Sequence, residues 1–302
     1  MDLSEQAELA LPPRAQLEPV GPAKAPALMG FRAFRLFLAE QPGLKEVELA
    51  GAGEALAHPR LFDMVSYAAA RGIAVSTTTS FLTISDARIA ACVASGLRRL
   101  DVVPGAAHPS DCDYLRPGSK LRRALRNVRR LANARQRHPE IRIVLMLLRN
   151  NLPQLPELAR LAKEHGADAL VLRHLWHDVC PARRFVEAQS LLGVTVDLTE
   201  LQRSAAELGI ALELPRVRRC ERPWRSVHIG ASGEALPCPM ARTEQRPTVG
   251  NVRRDGVVRV WNGAAYRDFR ERLAAGAPPE LCRRCSTYQA GLASNSLASR
   301  SV

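Results

Sequence analysis

The stretch KEVELAGAGEALAHPRLFDMVSYAAARGIAVSTTT, residues 45–79, is predicted to decide the fold of this chain. KEVELA is typical of a buried strand, and IAVSTTT is rich in the β-branched residues that favour strands. The segment between them, PRLFDMVSYAAARG, has Pro59 near its start and stops at Gly72, as helices commonly do. A strand, a helix and a second strand in this order predict a parallel pair of strands covered by the helix.

The same alternation continues on both sides of this stretch. Further helices are predicted at FRAFRLFLAE, at LPELARLAKEHG and at SDARIAACVASG, where Ser85 or Asp86 is the natural N-terminal cap. Further strands are predicted at RRLDVV, IRIVLMLL and DALVLRHL. The pattern indicates an α/β fold whose parallel sheet is covered by helices. After His177 the rhythm weakens to one helix, DLTELQRSAAELG, and one short strand, IALEL.

These changes of pattern divide the 302 residues into five predicted segments. Residues 1–30 are rich in proline and alanine and lack clear periodicity. An α/β domain, a connecting region, a small cysteine-containing domain and a flexible tail follow at 31–178, 179–215, 216–288 and 289–302. A chain of this length accommodates one large and one small domain.

Composition predicts a globular protein of the cytoplasm. Hydrophobic residues make up 46% of the sequence, and no apolar run reaches the length of a membrane span. The start, MDLSEQAELALPPR, is acidic and lacks the basic region of a secretory signal. In a reducing compartment the seven cysteines are expected to be metal ligands and buried thiols rather than disulfides.

The net charge of +13 is concentrated in residues 116–137, which hold nine Lys or Arg residues and no acid. Apolar residues recur there at helical spacing, so the segment is predicted to form an amphipathic helix with a basic outer face. That face is either a solvated surface or a patch for an acidic peptide or nucleic acid. Nucleic acid is not expected, because no nucleic-acid motif is present and aromatic residues make up only 5% of the chain.

Four of the cysteines lie close together near the end of the sequence, as Cys220, Cys238 and the pair Cys282-x-x-Cys285. Two thiolates three positions apart can point at one ion, and two more complete a cage of four sulfur atoms. Such a cage suits zinc or an iron–sulfur cluster. The spacing of the cysteines leaves the choice between these two open.

The residues between these cysteines resemble the SPASM domain, the iron–sulfur extension of radical S-adenosylmethionine (radical SAM) enzymes. The similarity keeps order and spacing over more than sixty residues, through Pro223-Trp224, Val227–Ile229, Gly233, Pro237, Gly250-Asn251-Val252, Trp261-Asn262 and Phe269-Arg270. The resemblance implies that Cys220, Cys238, Cys282 and Cys285 bind one auxiliary [4Fe–4S] cluster.

The preceding part is similar to the partial (βα)6, TIM-like barrel of radical SAM enzymes. The resemblance covers roughly residues 30–288 and implies an α/β barrel followed by a small SPASM-type domain. Gly51, Gly53 and Glu54 then correspond to the family's stretch that contacts the methionine part of SAM. The chain is thus identified as a radical SAM/SPASM relative.

The departures from the family pattern concern the catalytic site. The family's C-x-x-x-C-x-x-C loop after the first strand is missing, since no cysteine occurs before Cys92. Laid against that loop, AELALPPR places Ala7, Leu11 and Arg14 at the cysteine positions. Three further SAM-contacting motifs have changed, at Ala52 with Ala55, at Thr78-Thr79-Ser80 and at Val102–Gly105. A site altered at four motifs is expected neither to bind nor to cleave SAM, and Gly51, Gly53 and Glu54 would be its remnant.

The leading hypothesis is an iron–sulfur protein without SAM cleavage. It would be a partner of another maturase, an electron-transfer subunit, or a protein that presents a peptide or acidic substrate. One alternative is an active radical SAM oxidoreductase or maturase of peptides or cofactors, and another is a zinc-stapled basic binding protein, so enzymatic activity is left open. Cys92 is predicted to be helix core, Cys112 and Cys180 to be ordinary thiols, and His174 and His177 to border the barrel mouth.

Overall fold

The computed structural model describes residues 9–22, 27–104, 120–174, 188–191, 194, 196–215, 220–239, 247–283, 285 and 288. The chain divides into two compact units, Met1–Thr77 with Cys220–Arg284, and Thr78–Arg219 with Cys285–Val302. None of the helices in the described ranges is long and apolar enough to cross a membrane. The tail predicted at 289–302 lies outside the described residues.

The described residues form ten strands and eleven α-helices, labelled in chain order. The strands are β1 Arg14–Leu17, β2 Glu46–Leu49, β3 Ala74–Thr79, β4 Arg99–Val102, β5 Glu140–Leu147, β6 Ala169–His174, β7 Ala211–Glu213, β8 Val227–Ile229, β9 Glu234–Leu236 and β10 Gly250–Asn251. The helices are α1 Phe31–Ala39, α2 Leu61–Ala69, α3 Asp86–Ala94, α4 Lys120–Ala134, α5 Leu155–Glu164, α6 Thr199–Leu208, α7 Arg222–Arg225, α8 Val252–Asp255, α9 Val257–Trp261, α10 Ala264–Ala274 and α11 Glu280–Arg283. Short 3-10 turns lie at Ala55–Ala57 and Arg149–Gln154.

The first unit is built around β1. This strand pairs in parallel with β2 on one side, at Arg14↔Glu46, and with β8 on the other, at Ala15↔Val227. β3 continues the parallel pairing beyond β2, whereas β9 runs antiparallel to both of its neighbours, β8 and β10. The β8–β9 pair is a hairpin, and Gly233 takes its turn with a φ of 90°. A strand from the C-terminal third of the chain thus completes the pairing of the first strand in the described residues.

The second unit contains the parallel strands β4, β5, β6 and β7, each paired with the next. The sequence here folds as the alternation predicts. Ser85 caps α3, since its side chain accepts a hydrogen bond from the Arg88 backbone N–H at 3.3 Å. The basic helix is α4, whose buried residues lie at helical spacing, namely Leu121, Ala124, Leu125, Val128 and Leu131.

The position of β1 corrects the predicted placement of the cluster loop. Arg14 is the first residue of β1, and its guanidinium lies 2.9 Å from the Glu46 carboxylate of β2. Leu11 precedes the strand, and Ala7 lies outside the described residues. The segment that follows the first strand is therefore residues 18–30, so the register that puts Ala7, Leu11 and Arg14 at the cysteine positions is wrong. Residues 18–30 also contain no cysteine.

Candidate metal centre

Three of the four predicted ligands lie in the first unit. Cys220 is half-buried just ahead of α7, Cys238 is 8% exposed just after β9, and Cys282 is 8% exposed within α11. Cys285, by itself in the second unit, is half-buried. Within the described ranges, the structure does not gather three or more His, Cys, Asp or Glu side chains as a metal site. The four-thiol cage therefore stays a prediction from the sequence.

A buried cluster of Trp261, Tyr266 and Arg270, called here the aromatic–arginine cluster, lies in the same unit. Tyr266 and Arg270 are one turn apart on the inner face of α10, which begins after Gly263, and Trp261 ends α9. Both aromatic side chains are fully buried, and their ring centroids are 5.0 Å apart. The Arg270 guanidinium carbon is 4.0 Å from the Trp261 ring and 4.1 Å from the Tyr266 ring. A cation is thus packed against two aromatic faces.

Arg270 also ties neighbouring segments together. It is 4% exposed, and its Nε donates to the Pro223 carbonyl at 2.9 Å while Nη1 donates to the Trp261 carbonyl at 2.8 Å. Pro223 belongs to α7, only three positions after Cys220. The guanidinium therefore links the segment of the first predicted ligand to α9 and α10.

Three polar atoms of this cluster are buried without a hydrogen-bond partner in the described structure. They are the Trp261 Nε1, the Tyr266 hydroxyl and the Arg270 Nη2. Burial lowers the pKa of Arg270 to about 10. Burial also raises the pKa of the Tyr266 phenol, and the neighbouring Cys238 adds to that rise. The cluster therefore lies within electrostatic reach of a predicted ligand.

These features fit a resident iron–sulfur cluster. Buried polar groups are normally paired, and a buried cation normally has an anionic partner. A thiolate-ligated cluster is net negative and presents sulfur acceptors, so it would satisfy the unpartnered donors of Tyr266 and Arg270. In the sequence, Trp261 and Arg270 only carry the family resemblance and Tyr266 has no signal of its own, so the clustering of these groups is seen only in the structure.

The turn at Gly51–Glu54 is the predicted remnant of a SAM site, and residues following β1 pack directly against it. The buried Glu18 accepts a hydrogen bond from the Ala52 N–H at 3.2 Å, and the Gly53 N–H donates to the Val20 carbonyl at 3.2 Å. A Cβ at Gly51 would lie 2.1 Å from the Glu18 Cγ, and one at Gly53 would lie 2.5 Å from the Gly21 carbonyl oxygen. Only glycine permits this approach.

Glu54 has a local structural role in this turn. Its side chain accepts a hydrogen bond from the Leu56 N–H at 3.1 Å and caps the 3-10 turn at Ala55–Ala57. The segment after β1 is also closed on itself. Its two ends bridge at Val20↔Leu28, and the Gly21 N–H donates to the Ala27 carbonyl at 2.8 Å. Two N–H groups of the turn are thus bonded to this segment.

The other candidates have structural roles or lie outside the described ranges. Cys92 is buried in α3, and burial raises the pKa of its thiol to about 12, so it is helix core as predicted. His174 ends β6, and burial lowers the pKa of its imidazole. His177, Cys112 and Cys180 lie outside the described residues.

Comparison with known proteins finds similarity both for the C-terminal part and for most of the chain. Residues 220–286 match the SPASM family, described as an iron–sulfur cluster-binding domain. The chain is 25% identical, over 251 residues, to the tungsten-containing aldehyde ferredoxin oxidoreductase cofactor-modifying protein of Pyrococcus furiosus, covering 76% of this chain and 70% of that protein. It is 24% identical, over 261 residues, to a PqqA peptide cyclase of Xanthomonas campestris pv. campestris, covering 82% and 68%.

Among solved structures, Streptococcus suis SuiB bound to the precursor peptide SuiA aligns with a TM-score of 0.65 and 12% identity. The alignment covers 95% of this chain and 72% of SuiB. This likeness confirms the predicted α/β fold, and the match at residues 220–286 confirms the predicted resemblance of the C-terminal part.

Proposed function

We propose that this chain, which these matches support as a radical SAM/SPASM family member, binds one [4Fe–4S] cluster and does not cleave SAM. Cys220, Cys238, Cys282 and Cys285 would be the ligands. The protein would act as a non-catalytic partner in the maturation of a peptide, presenting the substrate or passing electrons. A relative named PqqA peptide cyclase supports a peptide as the substrate class, and a structural neighbour, SuiB, is bound to a precursor peptide.

The observation that carries this proposal is the segment after β1. In radical SAM enzymes three thiolates of this segment hold the catalytic cluster, whereas residues 18–30 of this chain contain none. The segment instead supplies the Glu18 carboxylate and the Val20 carbonyl as acceptors for the Gly51–Glu54 turn. A turn whose N–H groups are already bonded within the protein offers fewer donors to a substrate.

A second candidate function is an active maturase. The similarity extends over most of the chain to proteins with modifying or cyclising activity, and it includes the complete span of the SPASM match. In that case SAM would be cleaved with the help of the remaining cluster.

The two functions are separated by two measurements on one anaerobic preparation. After reconstitution with iron and sulfide, we expect about four iron atoms per chain and no 5′-deoxyadenosine from SAM under reducing conditions. About eight iron atoms, or 5′-deoxyadenosine above the level of a cluster-free control, would contradict the proposal. A colourless protein that retains zinc instead would favour the zinc-stapled alternative.

A further inference from the structure

We propose that the aromatic–arginine cluster forms one wall of the iron–sulfur site, where Tyr266 and Arg270 donate hydrogen bonds to its sulfur atoms and raise its reduction potential. This inference rests on the cluster ligation proposed above. Tyr266 and Arg270 would bind no iron themselves and would act on the reduction potential of the cluster.

The first argument is the charge of Arg270. Its side chain is almost fully buried, and no carboxylate pairs with it in the described structure. Two carbonyl oxygens and two aromatic faces solvate the guanidinium, but neither type of group carries a negative charge. Removing an unpaired charge from water is costly, so a buried anion nearby would account for its position. A cluster held by four thiolates is such an anion.

The second argument is the set of orphaned donors. The Arg270 Nη2 and the Tyr266 hydroxyl are both buried and lack partners among the described residues. They belong to side chains in direct contact, since the guanidinium carbon is 4.1 Å from the Tyr266 ring. Because buried donors are normally hydrogen-bonded, two unpartnered donors on contacting side chains indicate one acceptor that both would share.

The third argument is the position of these groups. Arg270 donates to the Pro223 carbonyl at 2.9 Å, three positions after Cys220. The shared acceptor would therefore lie near the segment that holds the first predicted ligand. Hydrogen bonds to cluster sulfur atoms and nearby positive charge stabilise the reduced state, which carries one more negative charge.

The test is the midpoint potential of the reconstituted protein, measured by titration with dithionite and detected by electron paramagnetic resonance. Tyr266→Phe removes only the hydroxyl, and we expect iron content equal to wild type with a more negative potential. Tyr67→Phe is the matched control, since Tyr67 packs against Phe31 and Phe34 of α1 instead. Its potential should equal that of wild type.

A second measurement separates a redox role from a structural one. In the metal-free protein, Tyr266→Phe should leave Tm unchanged or raise it, because it removes a buried hydroxyl that has no partner there. A Tyr266→Phe potential equal to wild type, or a lower metal-free Tm together with loss of iron, would overturn the inference. Loss of iron at unchanged metal-free Tm would support it. A wild-type protein that binds no iron would refute the proposed function itself, and the inference with it.

Discussion

Replacing Gly53 by alanine tests the packing on which the proposed loss of SAM cleavage rests. The new Cβ would lie 2.5 Å from the Gly21 carbonyl oxygen and 2.7 Å from both the carbonyl oxygen and a methyl group of Val20. Two of these three atoms belong to the backbone, so the clash cannot be relieved by rotating a side chain. Overpacking costs about 1–3 kcal/mol. Weakening the hydrogen bond from Gly53 to Val20 costs about 1 kcal/mol more.

We therefore expect Gly53→Ala to lower the free energy of unfolding by about 2–4 kcal/mol, which corresponds to a fall in Tm of about 5–15 °C. Thermal and urea unfolding, both followed by circular dichroism, measure these quantities. Gly43→Ala is the matched control, because its Cβ would meet nothing within 4 Å, and its stability should stay within about 1 kcal/mol of wild type. If the two variants unfold alike, the segment after β1 does not pack on the turn as described.

Three further predictions concern other parts of the molecule. Cys282→Ser should lose most of the iron after reconstitution, whereas Cys92→Ser should retain it, and iron loss in both would contradict the assigned ligands. Burial lowers the pKa of His228 to about 3, so its neutral form is favoured in the folded state. In the unfolded chain this imidazole takes up a proton near its ordinary pKa of about 6.5, whereas in the folded protein it stays neutral down to about pH 3. The free energy of unfolding should therefore fall by about 2 kcal/mol between pH 8 and pH 5. Urea unfolding of the metal-free protein measures this loss, and His228→Gln should reduce the slope. Asp101→Asn should cost about 1.5–3 kcal/mol in urea unfolding, because the 12% exposed Arg142 loses the negative charge that it binds at 2.7 and 3.1 Å and retains the Glu213 carboxylate at 2.9 Å. A cost equal to that of the exposed Asp63→Asn would refute this.

The sequence predicted most of the fold because the repeating units carry strong local signals. IRIVLMLL and DALVLRHL are nearly continuous apolar runs, which are typical of parallel strands buried on both faces, and they fold as β5 and β6. Ser85 lies where a helix needs a cap, and it caps α3. Local chemistry determines these elements, so one sequence is enough to find them.

β1 could not be found in this way. Its four residues, RAQL, include two polar side chains, and the strand exists because β2 and β8 flank it on both sides. Such pairing depends on tertiary structure and leaves no periodicity in a short segment. The predicted register of the cluster loop was wrong for the same reason, since it was placed without knowledge of the first strand.

In the candidate site, too, some residues could be predicted from the sequence and others depend on tertiary structure. The four cysteines are recognisable from spacing, because thiolate ligands are rare and their chemistry is specific. Tyr266 and Arg270 form an ordinary one-turn pair on a helix, and their sequence does not show that both are buried with orphaned donors. Glu18 is likewise an unremarkable acidic residue until the strand that ends beside it is known.

The pairing of β1 with β8 also sets an order of events during synthesis. Ala15 and its partner Val227 are about 210 residues apart in the chain. At typical translation rates one edge of β1 waits roughly 10–40 s for its partner, while β2 is available almost at once. An open strand edge is a template for pairing with other chains. Nascent chains are therefore exposed to misassembly until the SPASM segment emerges from the ribosome, and a chain that stops before Val227 would keep that edge open.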